Sequence, residues 1–423
     1  MKIGIVCSEY FGNKVVDGKI IPTSVHGGFG FLTKLKAESL VSMGHEVHVF
    51  TYATSYDYEK KSSNEFIENK IHIHLIQQKV DVKSNIILTG LHAVFHKPRA
   101  NEDFKNIVKA NCIEILQFED TTMSLMLSVL SDVPKLLIFQ DPFDFYDVNL
   151  LIDSERNYFN ILQGKSILYD IKKSDDSFPN EMVINWLHRK NFINPVRKLI
   201  EQSQFLKIYA ESDFIGQKVQ QMFDLKYTPE TIRNPVTIVD QQKNKTGKPS
   251  FVWVGRWDTQ KRPDMMLMCA SELPEYDFYM IGTATRGPKD FTSVEKKLTE
   301  KFSKYSNVHI LGFVDESTKR EYIGRAWALI NTSVREGLPI TFLEAMAEAT
   351  PIVSYVDPDN YVSRFGIKVD YTIESFKQGI EQSVREKLFE RIGKAEREFI
   401  KEEHEIGVIM KKHLEIYNDI LKG

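Results

Sequence analysis

The chain has 423 residues, 42% of them hydrophobic and 27% charged, with a formal net charge of −3. This composition describes a soluble globular protein, long for one core and comfortable for two domains, and excludes disordered and fibrous classes. The slight negative balance gives no general pull toward nucleic acid, so no such partner is expected. Cys7, Cys112 and Cys269 are widely spaced, which suits a reducing cytosol and offers no zinc spacing. The opening apolar run is too brief for a signal peptide, and no run approaches the about 20 residues of a membrane span. A cytoplasmic protein is expected.

Residues 2–7, Lys-Ile-Gly-Ile-Val-Cys, read as a buried parallel strand. A helix over 31–43, stopped by Gly44, and a strand over 46–51 complete a βαβ unit and imply a parallel sheet. Residues 113–118, 135–139 and 205–210 read as further strands, with a helix after Ser212-Asp213. The stretch 144–194 is polar, aromatic and without an assignable pattern. Polar residues 241–249 read as a linker. The alternation restarts beyond it, with strands expected at 251–254, 278–281, 308–311, 328–331 and 352–355. Two Rossmann-like α/β domains in series fit this pattern, and the charged stretch 381–421 reads as helices.

Three segments of this pattern carry chemistry. The most informative is Arg335-Glu336-Gly337-Leu338-Pro339-Ile340-Thr341-Phe342-Leu343-Glu344, between a strand and a helix that Pro351 must stop. Pro339 suits the first helical turn, where its missing N–H breaks no bond. The amides of Gly337, Leu338 and Ile340 then face an anion such as a phosphate at the helix N-terminus. Glu336 lies at the mouth of that site and Glu344 inside the helix. An ordinary amphipathic helix with solvated carboxylates is the plain reading. A glycosidase pair is disfavoured, since eight helical steps span about 12 Å against the about 5–9.5 Å of hydrolases.

The second segment is Gly255-Arg256-Trp257-Asp258-Thr259-Gln260-Lys261, at the end of the first strand of the second half. There Arg256 and Lys261 can neutralise a diphosphate, where open α/β sheets bind ligands. The third is His26-Gly27-Gly28-Phe29-Gly30, whose glycines let amides approach a ligand closely. It lacks the dinucleotide spacing, because Thr33 stands where a glycine is required.

Together these residues resemble the E-x7-E signature and G-R-x-x-x-x-K loop of retaining glycosyltransferases with the GT-B fold, in glycosyltransferase family four. The resemblance implies two Rossmann-like domains facing a cleft: residues 1–236 on the acceptor side and 250–401 on the donor side, with a last helix over 402–423 packing back on the first. Glu336 is implied to face the donor sugar, Glu344 to bind ribose, and Arg256 and Lys261 to hold the diphosphate. Gly27 and Gly28 are implied to face the phosphate. Leu311-Gly312-Phe313-Val314 resembles the segment beside the base, which places Gly312, Phe313 and Val314 at the nucleotide. Residues 232–236 resemble the interdomain run. A retaining transfer from a nucleotide sugar, UDP- or GDP-linked, to a glycan, lipid-linked or protein acceptor is implied, with no metal and no further cofactor. The rivals are a nucleotide-sugar epimerase of the same fold and a catalytically silent sugar-nucleotide-binding protein.

The chain departs from the pattern at two places. Gln140-Asp141 stands where many members carry His before Asp near the sugar, and Gln cannot titrate. Gln140 and Asp141 are thus candidate sugar or acceptor contacts of altered chemistry. Residues 355–360 replace the usual glycine-rich loop. His72 and His74 alternate along a strand-like run as metal ligands do, but without a recognisable third ligand a half-exposed strand face is the stronger reading. Residues 86–99 and 186–197 have the composition of interfacial membrane patches. Core packing is the stronger reading of both, and a peripheral contact at the inner face of a membrane stays open.

Overall fold

The computed structural model describes residues 1–7, 10, 12–16, 19–23, 27–53, 65–77, 102–119, 123–140, 193–258, 260–284 and 292–423. Asp141, the patch at 86–99 and nearly all of 144–194 lie outside these residues, as does most of 186–197. The chain divides into two units, one formed by Met1–Phe143, Phe178–Pro235 and Ile406–Gly423, the other built on Val236–Glu405.

The first unit opens with β1 (Lys2–Val6), a hairpin of β2 (Gly12–Val16) and β3 (Lys19–Thr23), α1 (Gly27–Ser42) and β4 (Glu46–Ala53). It continues through β5 (Glu65–Glu68), β6 (Ile71–Gln77), α2 (Glu102–Ala110), β7 (Ile115–Phe118) and β8 (Lys135–Phe139). After the segment outside the description come α3 (Asn194–Ser203), β9 (Lys207–Ala210), α4 (Asp213–Phe223) and β10 (Glu230–Thr231). The main sheet runs β10-β9-β8-β7-β1-β4-β6-β5 and is parallel except where β5 meets β6. Alternation along each strand sends Ile3, Ile5, Val47, Val49, Ile71, Ile73, Leu136 and Ile138 into one core. The opposite face carries Phe50 against Phe104 of α2 and Phe139 against Phe223 of α4.

One local expectation is corrected here, and one element is added. The helix predicted from residue 31 begins at Gly27, so the paired glycines form its first turn rather than a loop ahead of it. Part of the stretch before it is the hairpin β2–β3. Both follow from weak signals: glycines argue against helix interiors, and the hairpin strands lack a clean apolar alternation.

The second unit holds β11 (Ser250–Val254), α5 (Pro263–Glu272), β12 (Asp277–Ile281), α6 (Thr292–Phe302), β13 (Val308–Gly312) and α7 (Glu316–Arg325). Next come β14 (Ala328–Asn331), α8 (Ile340–Ala347), β15 (Ile352–Ser354), α9 (Tyr361–Phe365), β16 (Gly366–Lys368), α10 (Ile373–Arg385) and α11 (Leu388–Glu403). Its sheet, β13-β12-β11-β14-β15-β16, is wholly parallel and buried on both faces. Phe251 and Trp253 of β11 enter one core layer and Val252 the other; Ala328 and Ile330 of β14 likewise oppose Leu329. Residues 241–249 are not a free tether. Thr246 bonds to the Arg325 carbonyl through its N–H at 3.0 Å and accepts from Trp327 Nε1 at its own carbonyl at 2.8 Å.

The last helix, α12 (Ile406–Lys422), packs into the first unit through Met410, Tyr417 and Ile420. Buried His413 and Tyr417 both reach the Gln117 Oε1 of β7, at 3.0 and 2.6 Å. No described helix is long and apolar enough to cross a membrane.

Candidate functional site

The parallel sheet of the second unit presents the carboxyl ends of β11, β12, β13 and β14 together, the edge where such sheets bind ligands. Backbone crowds closely there. Gly282, just past β12, has φ +121°, and a Cβ on it would lie 1.9 Å from the Gly255 carbonyl oxygen. Glycine is therefore required at 282 by both space and conformation. The loop after β11 is then folded by Asp258, whose Oδ1 accepts from the N–H of Gln260 at 3.1 Å and of Lys261 at 2.9 Å. Its Oδ2 accepts from Arg256 Nε at 2.9 Å.

A second set of contacts joins this loop to the one after β14. The Val334 N–H donates to the Gln260 carbonyl at 2.9 Å, and Gln260 Nε2 donates to the Arg335 carbonyl at 3.3 Å. Thr332 is the hub beneath them. Its hydroxyl lies 2.8 Å from both the Lys261 and Arg262 carbonyls and accepts from Trp253 Nε1 at 2.9 Å. Arg262, fully buried in a left-handed conformation, forks onto buried Asp264 at 2.8–3.2 Å and lies against the Tyr371 ring. These buried pairs hold the loop backbone so that Lys261 can point outward.

The result is a direct ion pair between Lys261 Nζ and Glu336 Oε1. Lys261 is 21% and Glu336 7% exposed, whereas the Arg256 side chain is 42% exposed. Glu336 leads into α8, where Pro339 is the N-cap with ψ 128° rather than the first helical residue expected. No side chain caps the helix, so its first amides and dipole face the loop. The Phe342 N–H closes back on the Pro339 carbonyl at 2.9 Å, and Leu338 is buried beneath the turn. Gly337 and Ile340 flank that turn.

Glu344 sits one helical turn further in, in a pocket shared with Glu316, Lys319, Arg320, Ile323 and Glu348. Lys319 Nζ donates to Glu344 Oε1 at 2.7 Å, and Glu344 Oε2 is buried without a hydrogen bond. Burial holds this carboxyl above the usual carboxylate range, against the pull of Lys319. Gly312 ends β13 with φ +66°, and Phe313 beyond it is an exposed aromatic ring followed by partly buried Val314. In place of a glycine-rich loop after β15, Asp359 and Asn360 adopt left-handed conformations that their short polar side chains tolerate. Asp357 ties that loop to the Val362 N–H at 2.8 Å.

The structure thus brings Arg256, Lys261, Glu336 and the start of α8 to one loop pair, with Glu344 further along that helix. Gly27, Gly28 and Gln140 belong to the first unit. There the Gln140 side chain is buried. It is 2% exposed, with Nε2 donating to Glu119 Oε2 at 2.8 Å and Oε1 accepting from Asn234 at 3.0 Å. Its amide is committed inside a buried network in which Lys36 Nζ also contacts both Glu119 oxygens, at 2.8 and 2.9 Å. Asn234 Nδ2 also donates to Glu211 Oε2. The sequence reading missed Lys36, Glu119 and Glu211, and took Asn234 only as part of the interdomain run. The available signal was a polar residue directly after an apolar strand, as at Glu119 and Glu211.

Comparison with known proteins bears on the family and the fold. The family described as "Glycosyl transferases group 1" matches residues 237–399. The O-antigen biosynthesis glycosyltransferase WbnH of Escherichia coli is 27% identical over 169 residues, 37% of this chain and 46% of that protein. The matched stretch is therefore under half of that relative's length. Sucrose-phosphate synthase from Thermosynechococcus elongatus superposes with a TM-score of 0.70 at 12% identity, over 100% of this chain and 99% of its own. Anabaena HepE, solved with UDP and glucose, gives 0.63 at 12% identity, over 99% and 100%. Residues 237–399 match the Glycosyl transferases group 1 model, and the two parallel-sheet units have the GT-B architecture of these structural neighbours.

Proposed function

We propose that the protein is a retaining, nucleotide-sugar-dependent glycosyltransferase that extends a cell-surface glycan of the O-antigen or lipopolysaccharide kind. The observation that carries this reading is the Lys261–Glu336 pair at the carboxyl edge of β11 and β14, beside Arg256 and the uncapped start of α8. Two cations and a helix N-terminus are a fixed counter-charge for a nucleoside diphosphate. They act most strongly as the sugar leaves and charge builds on the phosphate, which is usually the largest contribution to such catalysis. In this reading the diphosphate takes Lys261 from Glu336, whose freed carboxylate faces sugar hydroxyls. Glu344 Oε2, a buried acceptor without a hydrogen bond, accepts from a ribose hydroxyl, and exposed Phe313 lies toward the base.

The donor is expected to be a uridine or guanosine diphosphate sugar; the UDP in HepE favours the first. The acceptor would be a hydroxyl of a glycan, lipid-linked or protein carrier, reached in the cytoplasm at a membrane surface. The name of WbnH supports the glycan. No carboxylate is assigned as a nucleophile; the departing phosphate takes the acceptor proton on the face it leaves. The test is incubation with a panel of nucleotide sugars and lipid-linked glycan acceptors, with the product anomer read by NMR. Donor-dependent transfer with the donor's anomeric configuration is expected. An inverted product overturns retention, and failure of every nucleotide sugar to bind or transfer overturns the reading.

A further inference from the structure

We infer that Glu46, His48 and His72 form a binding site for a divalent cation of the zinc class, at the amino edge of the first unit's sheet. The site lies in a single unit, opposite the strand ends that carry Glu119 and Gln140, and is independent of the transferase reading.

Register makes the site. β4 and β6 pair in parallel with His48 beside His72 and Phe50 beside His74, so the three imidazoles share a face. Glu46 stands two residues before His48 on that same face. The His48 and His72 rings stack with centroids 4.6 Å apart, and one ligand atom from each of Glu46, His48 and His72 lies within 4.8 Å of the others. Tetrahedral ligands each about 2.0–2.1 Å from zinc sit about 3.4 Å apart, so the site closes by a small rotation of half-buried His72. Two imidazoles and a carboxylate select zinc, nickel or copper over magnesium or calcium. The sequence expectation of no metal site rested on the lack of a third ligand. His48 and Glu46, on the neighbouring strand, supply what His72 and His74 alone do not.

Polar contacts behind the ligands orient them. Glu46 Oε1 lies 3.1 Å from His48 Nε2, His48 Nδ1 lies 2.9 Å from His74 Nε2, and His74 Nδ1 lies 3.7 Å from Glu65 Oε1. In this arrangement the cation sits between Glu46 and His48. His48 Nε2 then binds the metal, Nδ1–H donates to His74 Nε2, and His74 Nδ1–H turns to Glu65, an outer-shell chain that orients the ligand. Lys2 Nζ, 3.0 Å from Glu46 Oε1, partly neutralises that carboxylate and would swing aside, being 39% exposed.

The test is calorimetric titration of the full-length, chelator-treated protein with zinc chloride, with thermal denaturation in parallel. One equivalent should bind and raise Tm, and Co²⁺ should give the visible bands of a tetrahedral site. His72→Gln and His48→Gln should each weaken zinc binding at least tenfold and abolish the cobalt bands. His74→Gln, acting through His48, should weaken it about 10–100-fold. His309→Gln in the second unit should change nothing. Should His48→Gln fail to fold, half-buried His72 decides. Absence of stoichiometric zinc binding, or wild-type affinity in His72→Gln, overturns the proposal.

Discussion

Replacing Lys261 with Ala separates two roles that the structure gives one side chain. As a diphosphate contact it makes a charge-assisted bond worth about 1.5–3 kcal/mol, so kcat/KM should fall about 10- to 150-fold. As the partner of Glu336 it neutralises a carboxylate that is only 7% exposed. Stranding that charge costs more than breaking a surface pair, at most about 1 kcal/mol, and less than the about 3–5 kcal/mol of a fully buried one, because Lys261 is 21% exposed. A loss of about 1–3 kcal/mol is expected, each kcal/mol lowering Tm by about 2–4 °C for a unit of this size. The double variant Lys261→Ala/Glu336→Gln removes the stranded charge and should recover most of that Tm without recovering transfer. Arg256→Ala provides the contrast: its side chain is 42% exposed, so activity should fall with Tm nearly unchanged. The assays are donor-varied steady-state kinetics and thermal denaturation of all four proteins. Wild-type kcat/KM in Lys261→Ala, or restored activity in the double variant, refutes the diphosphate role.

Glu336→Gln should lower kcat most, whereas Glu344→Gln should chiefly raise the donor KM, since ribose is held alike in ground and transition states; steady-state kinetics separates the two. Transfer should survive EDTA, because fixed cations and helix amides take the place of a metal at the proposed donor site; activity abolished by chelation and restored by Mg²⁺ or Mn²⁺ would contradict this. Gly282→Ala should destabilise the second unit by at least about 3 kcal/mol in chemical denaturation, because its Cβ would overlap the Gly255 carbonyl. Glu396, fully buried on α11 without a hydrogen bond, has its carboxyl pushed well above the ordinary 4.5 by desolvation. The unfolded chain releases this proton near pH 4.5 while the native chain retains it to higher pH, so Glu396 opposes folding progressively as pH rises through that window. Glu396→Gln should therefore have a Tm advantage over wild type that grows from pH 4.5 upward, measured by thermal denaturation across pH.

The strands of both sheets were legible because parallel strands covered on both faces are continuous apolar runs, as in 251–254 and 328–331. The charged loops after β11 and β14 stood out as well, since Pro339, the glycines and the paired charges sit at strand-to-helix junctions where few residue types fit. The short edge strands β5, β10 and β16 were not, because four, two and three residues are too few to show a period. Tertiary pairing hid the rest. Nothing local to Lys36 announces Glu119, 83 positions away, and the partners of Gln140 come from separate strand ends. His48 was passed over for the same reason, since its neighbours His72 and His74 lie on another strand.

The docking of α12 onto β7 sets an order on synthesis. The second unit has all its strands once residue 368 has emerged, and its helices are complete at Glu403. The first unit, although begun at residue 2, lacks the His413 and Tyr417 partners of Gln117 until residues 406–422 have emerged. The unit that starts first therefore finishes last, and until then it exposes the apolar seat of Met410, Tyr417 and Ile420. Ribosome-bound chains halted before residue 406 should thus carry a closed second unit beside a first unit open to chaperones. Expression of residues 1–235 alone should yield aggregate that supplying the 406–423 helix as a peptide relieves.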